Sequence, residues 1–445
     1  MWRIFRAHTL IFMLILALAG LAPATESKLN LQTLVQDNTL FAIDLYKKLC
    51  TGTGNLSVSP YSISSILAMT CAGAVGNTRK QMARTLRFSL GQKSLDPAFE
   101  SLQSTLSKIE GKNGVSLSIA NAIWPQIGYG LAPKYLDETK RYYGISVTPL
   151  DYQNQPGDAA KTINSWVQEK TKDKIKDIIP VDGINAMTKM VLTNAICFKG
   201  DWEQKFEPDL TEKTPFFVTS ANSVEIPMME HTGTFNYGEM KSFQILEMPY
   251  VGNDLSMITI LPRETEGLKA LESDLSTENL KLWKNKMVPT NVLVHFPKFA
   301  ITSGFDLSDI LISMGMVDAF SSRDANFGGI APQSNKPLYL SSVVQKAFLE
   351  VNEEGTEAAA ATLIEVPDSI SVRAPMLKVF QADHPFIFLI RENLTGTILF
   401  IGRVSEPIQV KKNDMEDNPP SSNQKNSARK GMSSRASEAT RDLYS

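Results

Sequence analysis

The chain is poor in the side chains that most often carry chemistry. It has 3 cysteines, too few for a disulfide framework, and Cys50, Cys71 and Cys197 include no CxxC pair of the kind that holds zinc. Cys71 falls on an apolar helical face and Cys197 inside an apolar strand, the setting of buried structural thiols, while Cys50 leaves pairing between chains open. Of 4 histidines, His8 lies in the amino-terminal leader described below, and His231 and His295 have no recognisable catalytic partner. GxSxG, HExxH, P-loop and dinucleotide fingerprints are all missing, so no metal, cofactor or enzyme class is indicated. A net charge of -2 gives no signal for nucleic acid or an anionic membrane. No internal repeat and no regular βαβ alternation appear.

What is present begins with a leader. Arg3 and Arg6 precede an apolar run from Leu10 to Leu21, then Ala22-Pro-Ala24, the order of a secretory signal peptide and too short for a comfortable membrane span. Cleavage after Ala24 is expected, dividing the chain into a signal peptide at 1–24, a folded domain at 25–408 and a tail at 409–445. From Lys411 to Ser445 the tail is rich in Ser, Asn, Asp and Lys with few large apolar residues, a composition of disorder. Its Lys425, Arg429, Lys430, Arg435 and Arg441 are interspersed with acids and read as solvated rather than as a polyanion-binding arm. The carboxyl terminus carries no endoplasmic-reticulum retrieval signal.

With 43% hydrophobic residues the folded part can bury a sizeable core. Phe41, Leu45, Leu49 and Tyr46 mark one face of a first helix. Ser59-Pro60 opens a second, striped by Ile63, Ile66, Leu67, Thr70 and Cys71. Ile163, Trp166, Val167, Ile175 and Ile178 predict one long helix ending at Pro180. Ser116–Trp124, Met190–Phe198 and Val292–Phe296 read as strands, the second covered on both faces. Phe243–Leu261, broken at Gly252-Asn-Asp254, and Phe386–Val404, turning at 392–396, read as hairpins. Helices dominate early and strands late, which predicts an α+β fold with large antiparallel sheets.

The stretch from Glu353 to Ala382 organises the rest. Glu353-Glu354-Gly355-Thr356-Glu357-Ala358-Ala359-Ala360-Ala361-Thr362 has the propensity of a capped helix, yet no stripe of large apolar residues for a helix to bury. As a strand, it puts Thr356, Ala358, Ala360 and Thr362 on one face, all small. Such a segment could slide into an existing sheet without the roughly 1–3 kcal/mol that overpacking costs. Gly355 suits a pivot. A solvated alanine-rich linker is the alternative.

This stretch resembles the hinge of an inhibitory serpin. Asn55-Leu-Ser-Val-Ser-Pro-Tyr-Ser-Ile63, Leu192-Thr-Asn-Ala-Ile-Cys-Phe-Lys-Gly-Asp-Trp202 and Asp383-His-Pro-Phe-Ile-Phe-Leu-Ile390 resemble further serpin signatures, in the family's order, and the likeness runs from Leu31 to Pro407. It implies three β-sheets, about nine helices and a reactive-centre loop at about 353–382. Asn55, Ser59, Ser62 and Asn194 match polar positions where sheet strands part, and Trp202 matches the tryptophan near the loop's entry. Gln345 stands where the family often has histidine, which removes a titratable group from that place. His384, before Pro385 in a shared motif, is expected to be packed rather than catalytic.

The resemblance implies a secreted, monomeric inhibitor that offers its loop to a serine protease and traps it as an acyl-enzyme. The family's spacing from Glu353 places the scissile bond at Ser369-Ile370, suited to an elastase-like pocket. Arg373-Ala374, which the slightly long loop brings into contention, would suit a trypsin-like one. Glu365-Val-Pro-Asp368 also resembles bait for an Asp-directed protease, against which the leader argues. Asn55-Leu-Ser57 and Asn393-Leu-Thr395 are glycosylation sequons, and Asn393 on a hairpin turn is the better candidate. Arg79, Lys80, Arg84 and Arg87 hint at a glycosaminoglycan patch, with a solvated face as the plainer reading. A non-inhibitory serpin acting as carrier, chaperone or storage protein is the competing expectation.

Overall fold

Ser59 begins the second helix as the sequence predicts: its Oγ accepts the backbone N–H of Ser62 at 3.4 Å, and Pro60 occupies the first turn, where its missing N–H is no loss. The computed structural model describes residues 2–112, 114–180, 182–353 and 377–407, with side chains from Thr25 onward. The helices are α1 (Trp2–Leu49), α2 (Pro60–Ala72), α3 (Gly76–Thr85), α4 (Gln92–Ser107), α5 (Pro133–Tyr143), α6 (Pro156–Lys170), α7 (Leu268–Asp274), α8 (Thr277–Lys284) and α9 (Ser308–Ser313). The strands are β1 (Leu56–Val58), β2 (Ser116–Pro125), β3 (Ser146–Val147), β4 (Met190–Lys199), β5 (Glu212–Thr219), β6 (Asn222–Glu239) and β7 (Phe243–Pro249). They continue as β8 (Leu255–Pro262), β9 (Val288–Pro297), β10 (Phe299–Asp306), β11 (Ser342–Val351), β12 (Lys378–Gln381), β13 (Phe386–Glu392) and β14 (Ile398–Val404).

Hydrogen bonding gathers the strands into a five-stranded sheet, β10-β11-β4-β2-β3, and a nine-stranded one. The 18-residue β6 joins what would otherwise be separate sheets: it pairs with β5 and β9, then with β7 through Asn236–Glu239. Both expected hairpins form, the first turning through Gly252 and Asn253 at positive φ. In the five-stranded sheet β4 and β11 are parallel neighbours, with Gln345 opposite Asn194.

Period two gives β4 two apolar rows, so it is buried along nearly its whole length. Met190, Leu192, Ile196 and Phe198 join the main core under α1 and α2. Val191, Ala195 and Cys197 join a second cluster beneath α6. Burial pushes the Cys71 thiol up to about 11 and the Cys197 thiol to about 12, which keeps both protonated and inert. Cys50 is half-buried and its thiol is also raised, by burial first.

The long helix expected to reach Pro180 stops at Lys170. Lys172, Asp173 and Asp177 adopt positive φ, and Thr171 Oγ1 accepts the N–H of Ile175 at 3.1 Å. Ile175, Ile178 and Ile179 are buried against the sheet all the same. The apolar spacing is real, but a turn delivers these side chains, and burying three isoleucines outweighs the strain of left-handed backbone at non-glycine residues.

Arg403 of β14 ties the early and late chain together. Its guanidinium donates to the carbonyls of Cys50, Gly52 and Gly54 and, at 2.9 Å, to the Glu272 carboxylate, which also accepts from Tyr46 Oη at 2.9 Å. Replacing Glu272 by Ala leaves a buried cation unpaired. The expected loss is about 3–5 kcal/mol, read as a lowered denaturant midpoint, with less loss when Arg403 is also replaced by Met.

Candidate functional site

Three strands of the five-stranded sheet each carry one amide in an otherwise apolar row facing α2. In β2 the row is Leu117, Ile119, Asn121 and Ile123; in β4 it includes Leu192, Asn194 and Ile196; in β11 it includes Val343, Gln345 and Ala347. Register sets the amides side by side, Asn121 opposite Asn194 and Asn194 opposite Gln345. Ser59 and Ser62, at the start of α2, meet them.

Gln345 Oε1 accepts the N–H of Ser59 at 3.3 Å, and its Nε2 donates to the Ser59 carbonyl at 3.2 Å and to Asn194 Oδ1. Asn194 Nδ2 donates to Ser62 Oγ and Asn121 Oδ1, and Ser62 Oγ donates to Asn121 Oδ1 at 3.2 Å. Among these contacts a single side-chain bond, Gln345 to Asn194, crosses the parallel β4–β11 seam. The start of α2 straddles the seam, holding Gln345 through the Ser59 backbone and Asn194 through Ser62 Oγ.

At the far end of the seam, β11 runs into Asn352 and Glu353. Trp202 Nε1 donates to the Asn352 carbonyl at 3.1 Å, and its indole stacks on Tyr250 at 4.5 Å and 11°. Glu353 is buried and its carboxylate meets Lys298 Nζ at 2.7 Å, across from the β9–β10 turn. Burial alone would raise the Glu353 carboxyl; the hydrogen bond and charge of Lys298 outweigh it and hold the group below its ordinary value.

The structure thus brings Ser59, Ser62, Asn194 and Gln345 together and sets Trp202 and Glu353 at the mouth. Asn55 stands elsewhere: its side chain accepts the N–H groups of Ser405 and Glu406 at 2.8 and 3.0 Å and donates to the Glu406 carbonyl at 2.6 Å, clamping the chain as it leaves β14. The hinge residues Glu354, Gly355, Thr356, Glu357, Ala358, Ala359, Ala360, Ala361 and Thr362 lie outside the described residues, as do both scissile pairs, Ser369-Ile370 and Arg373-Ala374. So does the tail beyond Pro407.

Asn393 Nδ2, the atom a glycan would occupy, donates to the Asn253 carbonyl at 2.9 Å and to Ser256 Oγ at 2.8 Å. In the basic group of α3 and the turn after it, Arg79 donates to Gln92 at 2.9 Å and Arg87 pairs with Asp44 at 2.6 Å, leaving Lys80 and Arg84 exposed to solvent. His384 is buried with its ring nitrogens 2.7 Å from Asp383 Oδ1 and the Pro262 carbonyl, a packed position. His295 faces Glu230 at 3.6 Å, and His231 packs edge-on against Phe206 and Phe235, where burial holds its imidazole below the ordinary value.

Three members were not found from sequence. Asn121 had a signal, an amide in an apolar strand row, but only the register with Asn194 gives it meaning. Lys298 and Tyr250 had none, because their partners are remote in the chain.

With this geometry in place, the comparisons with known proteins agree. The family profile described as Serpin (serine protease inhibitor) matches residues 36–407. A Xenopus laevis protein named leukocyte elastase inhibitor is 40% identical over 378 residues, covering 83% of this chain and 98% of its own. A serpin-like protein of Methanosarcina mazei is 39% identical over 376 residues, covering 83% of this chain and 86% of its own. The crystal structure of uncleaved ovalbumin superposes with a TM-score of 0.75 at 31% identity, covering 84% of this chain and all (100%) of its own. The chain belongs to the serpin family and has the serpin fold.

Two outcomes follow from the site. Asn121→Ala removes an acceptor shared by Ser62 and Asn194, and stability should fall by about 1–3 kcal/mol, read by denaturant titration of the uncleaved protein. Glu353 has a folded-state pKa below its ordinary 4.5, so its contribution is present above that value and lost as pH falls through the folded one. Unfolding rates measured from pH 6 downward, to about pH 3, should therefore rise less steeply in Glu353→Gln than in the parent.

Proposed function

We propose that this serpin is a secreted serine protease inhibitor of the suicide-substrate type. The observation that carries the reading is the parallel pairing of β4 with β11, since β11 runs directly into the reactive segment. A chain that leaves β11 and folds back on itself would enter between these two strands antiparallel to both, the orientation in which β-ladders pair best. The small residues on one face of the segment, Thr356, Ala358, Ala360 and Thr362, and the single side-chain bond between Gln345 and Asn194 favour the same passage.

In this mechanism the protease serine attacks the carbonyl of the scissile residue, forms an ester and releases the amine of the following residue. The freed amino-terminal arm inserts as a new strand and carries the tethered protease with it. About a dozen new backbone hydrogen bonds, at about 0.5–1.5 kcal/mol each, would together supply roughly 10 kcal/mol. Displacing catalytic groups by about 1 Å slows deacylation by orders of magnitude. The uncleaved form is then held by kinetics rather than by depth. Ser369-Ile370 is the preferred bait; relatives named leukocyte elastase inhibitor support an elastase-like target. The leader at 1–24 supports export, and the chain acts as a monomer.

The test is incubation of the mature protein with an elastase-like and a trypsin-like serine protease. A denaturant-resistant complex near the summed mass is expected, with release of a peptide beginning at Ile370. A peptide beginning at Ala374 would move the bait to Arg373. Cleavage without complex across a broad protease panel, and without gain in thermal stability, would leave the carrier, chaperone or storage reading.

A further inference from the structure

The reactive segment is tied to the fold at two ends. On its amino side β11 leads to Glu353, held by Lys298; on its carboxyl side the described chain resumes at Leu377 and enters β12. The carboxyl-side tie has little packing of its own. β12 has four residues, ends the nine-stranded sheet and forms its ladder with β9 alone. Of its side chains only Phe380 is buried, and Leu377 and Val379 are each 45% exposed. A polar cluster around the β6–β7 hairpin reinforces it. Glu239, the last residue of β6, accepts hydrogen bonds from Lys378 Nζ at 2.9 Å and Tyr237 Oη at 2.8 Å, with Arg263 at 3.7 Å. Gln244 Nε2 donates to Tyr237 Oη at 2.6 Å and to the Val379 carbonyl at 3.0 Å. The bond from Lys378, then that from Tyr237, holds the Glu239 carboxyl below its ordinary value, so it is charged at neutral pH.

Cutting any bond between 354 and 376 leaves β11 on one product and β12 on the other. An interaction at β12 can therefore act while the protease meets a segment tied at both ends, and it is disconnected from the arm that inserts afterwards. Holding one end of a binding segment in place lowers the ordering cost of the encounter. We propose that Glu239 is a positioning residue for capture of the protease: through Lys378 it fixes the carboxyl-side end of the reactive segment. This rests on the inhibitor reading above. It divides the roles of the two ends, with Glu239 setting how fast the protease is captured and leaving unchanged the fraction that is trapped.

The test measures the association rate constant and the stoichiometry of inhibition with whichever serine protease the parent traps. Glu239→Lys and Lys378→Glu each turn the pair into a repulsion. Each should lower the rate constant by about two- to fivefold, with the number of inhibitor molecules consumed per protease unchanged. Glu239→Gln, which keeps the size and loses the charge, should fall between the parent and Glu239→Lys. The exchange variant carrying both reversals restores the pair and should recover most of the parent rate. Glu138→Lys on α5, which breaks an exposed pair with Lys134, is the control and should match the parent in both quantities. The two single reversals change net charge in opposite directions, so a rate that rises in one and falls in the other reports a long-range field acting on the protease and overturns the proposal. Unchanged rates, an exchange variant as slow as the singles, or a raised stoichiometry overturn it as well, and leave the inhibitor reading intact. A parent that forms no complex removes that reading, and this one with it.

Discussion

The parallel ladder between β4 and β11 is the constraint on which the rest of the structure depends. In the five-stranded sheet β11 and β4 each pair antiparallel with their outer neighbours, β10 and β2, and parallel with each other, and parallel pairing is slightly less stable per residue. Here the interruption falls where β11 hands the chain to its reactive segment, and where both strands are covered on two faces. The core around it is arranged to keep the ladder closed without making it permanent: apolar rows seal both faces, and a thin line of amides and hydroxyls replaces apolar packing at one level.

That polar line shows how a buried seam can remain separable. A purely apolar seam would part only by exposing apolar surface; a dense polar network would part only by abandoning several hydrogen bonds. Between Gln345 and Asn194 one side-chain bond crosses, and the start of α2 holds both partners from one face through Ser59 and Ser62. The mouth is held differently, by the Trp202 bond to the Asn352 carbonyl and the Glu353–Lys298 ion pair, both anchored to elements outside β4 and β11. Middle and mouth thus depend on different chemistry, one neutral and one charged.

Family membership, the α+β class and most element positions could be read along the chain, because those properties are local: a capped helix start at Ser59, mainly apolar runs at β4 and β13, turn residues at Gly252 and Asn253. Ser59, Ser62, Asn194 and Gln345 were also legible as a group through motif resemblance. The stop of α6 at Lys170 was not, since the isoleucine spacing is helical and only packing against the sheet shows that a strained turn delivers the same side chains. Asn55 carried the same kind of motif signal as its neighbours, yet tertiary contacts assign it to the exit from β14.

The sequence by itself determined where strands and helices can form and which segment is small enough to enter a sheet, because period, propensity and side-chain volume are written residue by residue. Only the tertiary structure decided which strands are parallel neighbours, that Asn121 completes the polar row, and that Lys298 and Tyr250 stand at its mouth. Those facts depend on register between segments far apart in the chain, and register follows from how apolar faces close together, which no single stretch contains.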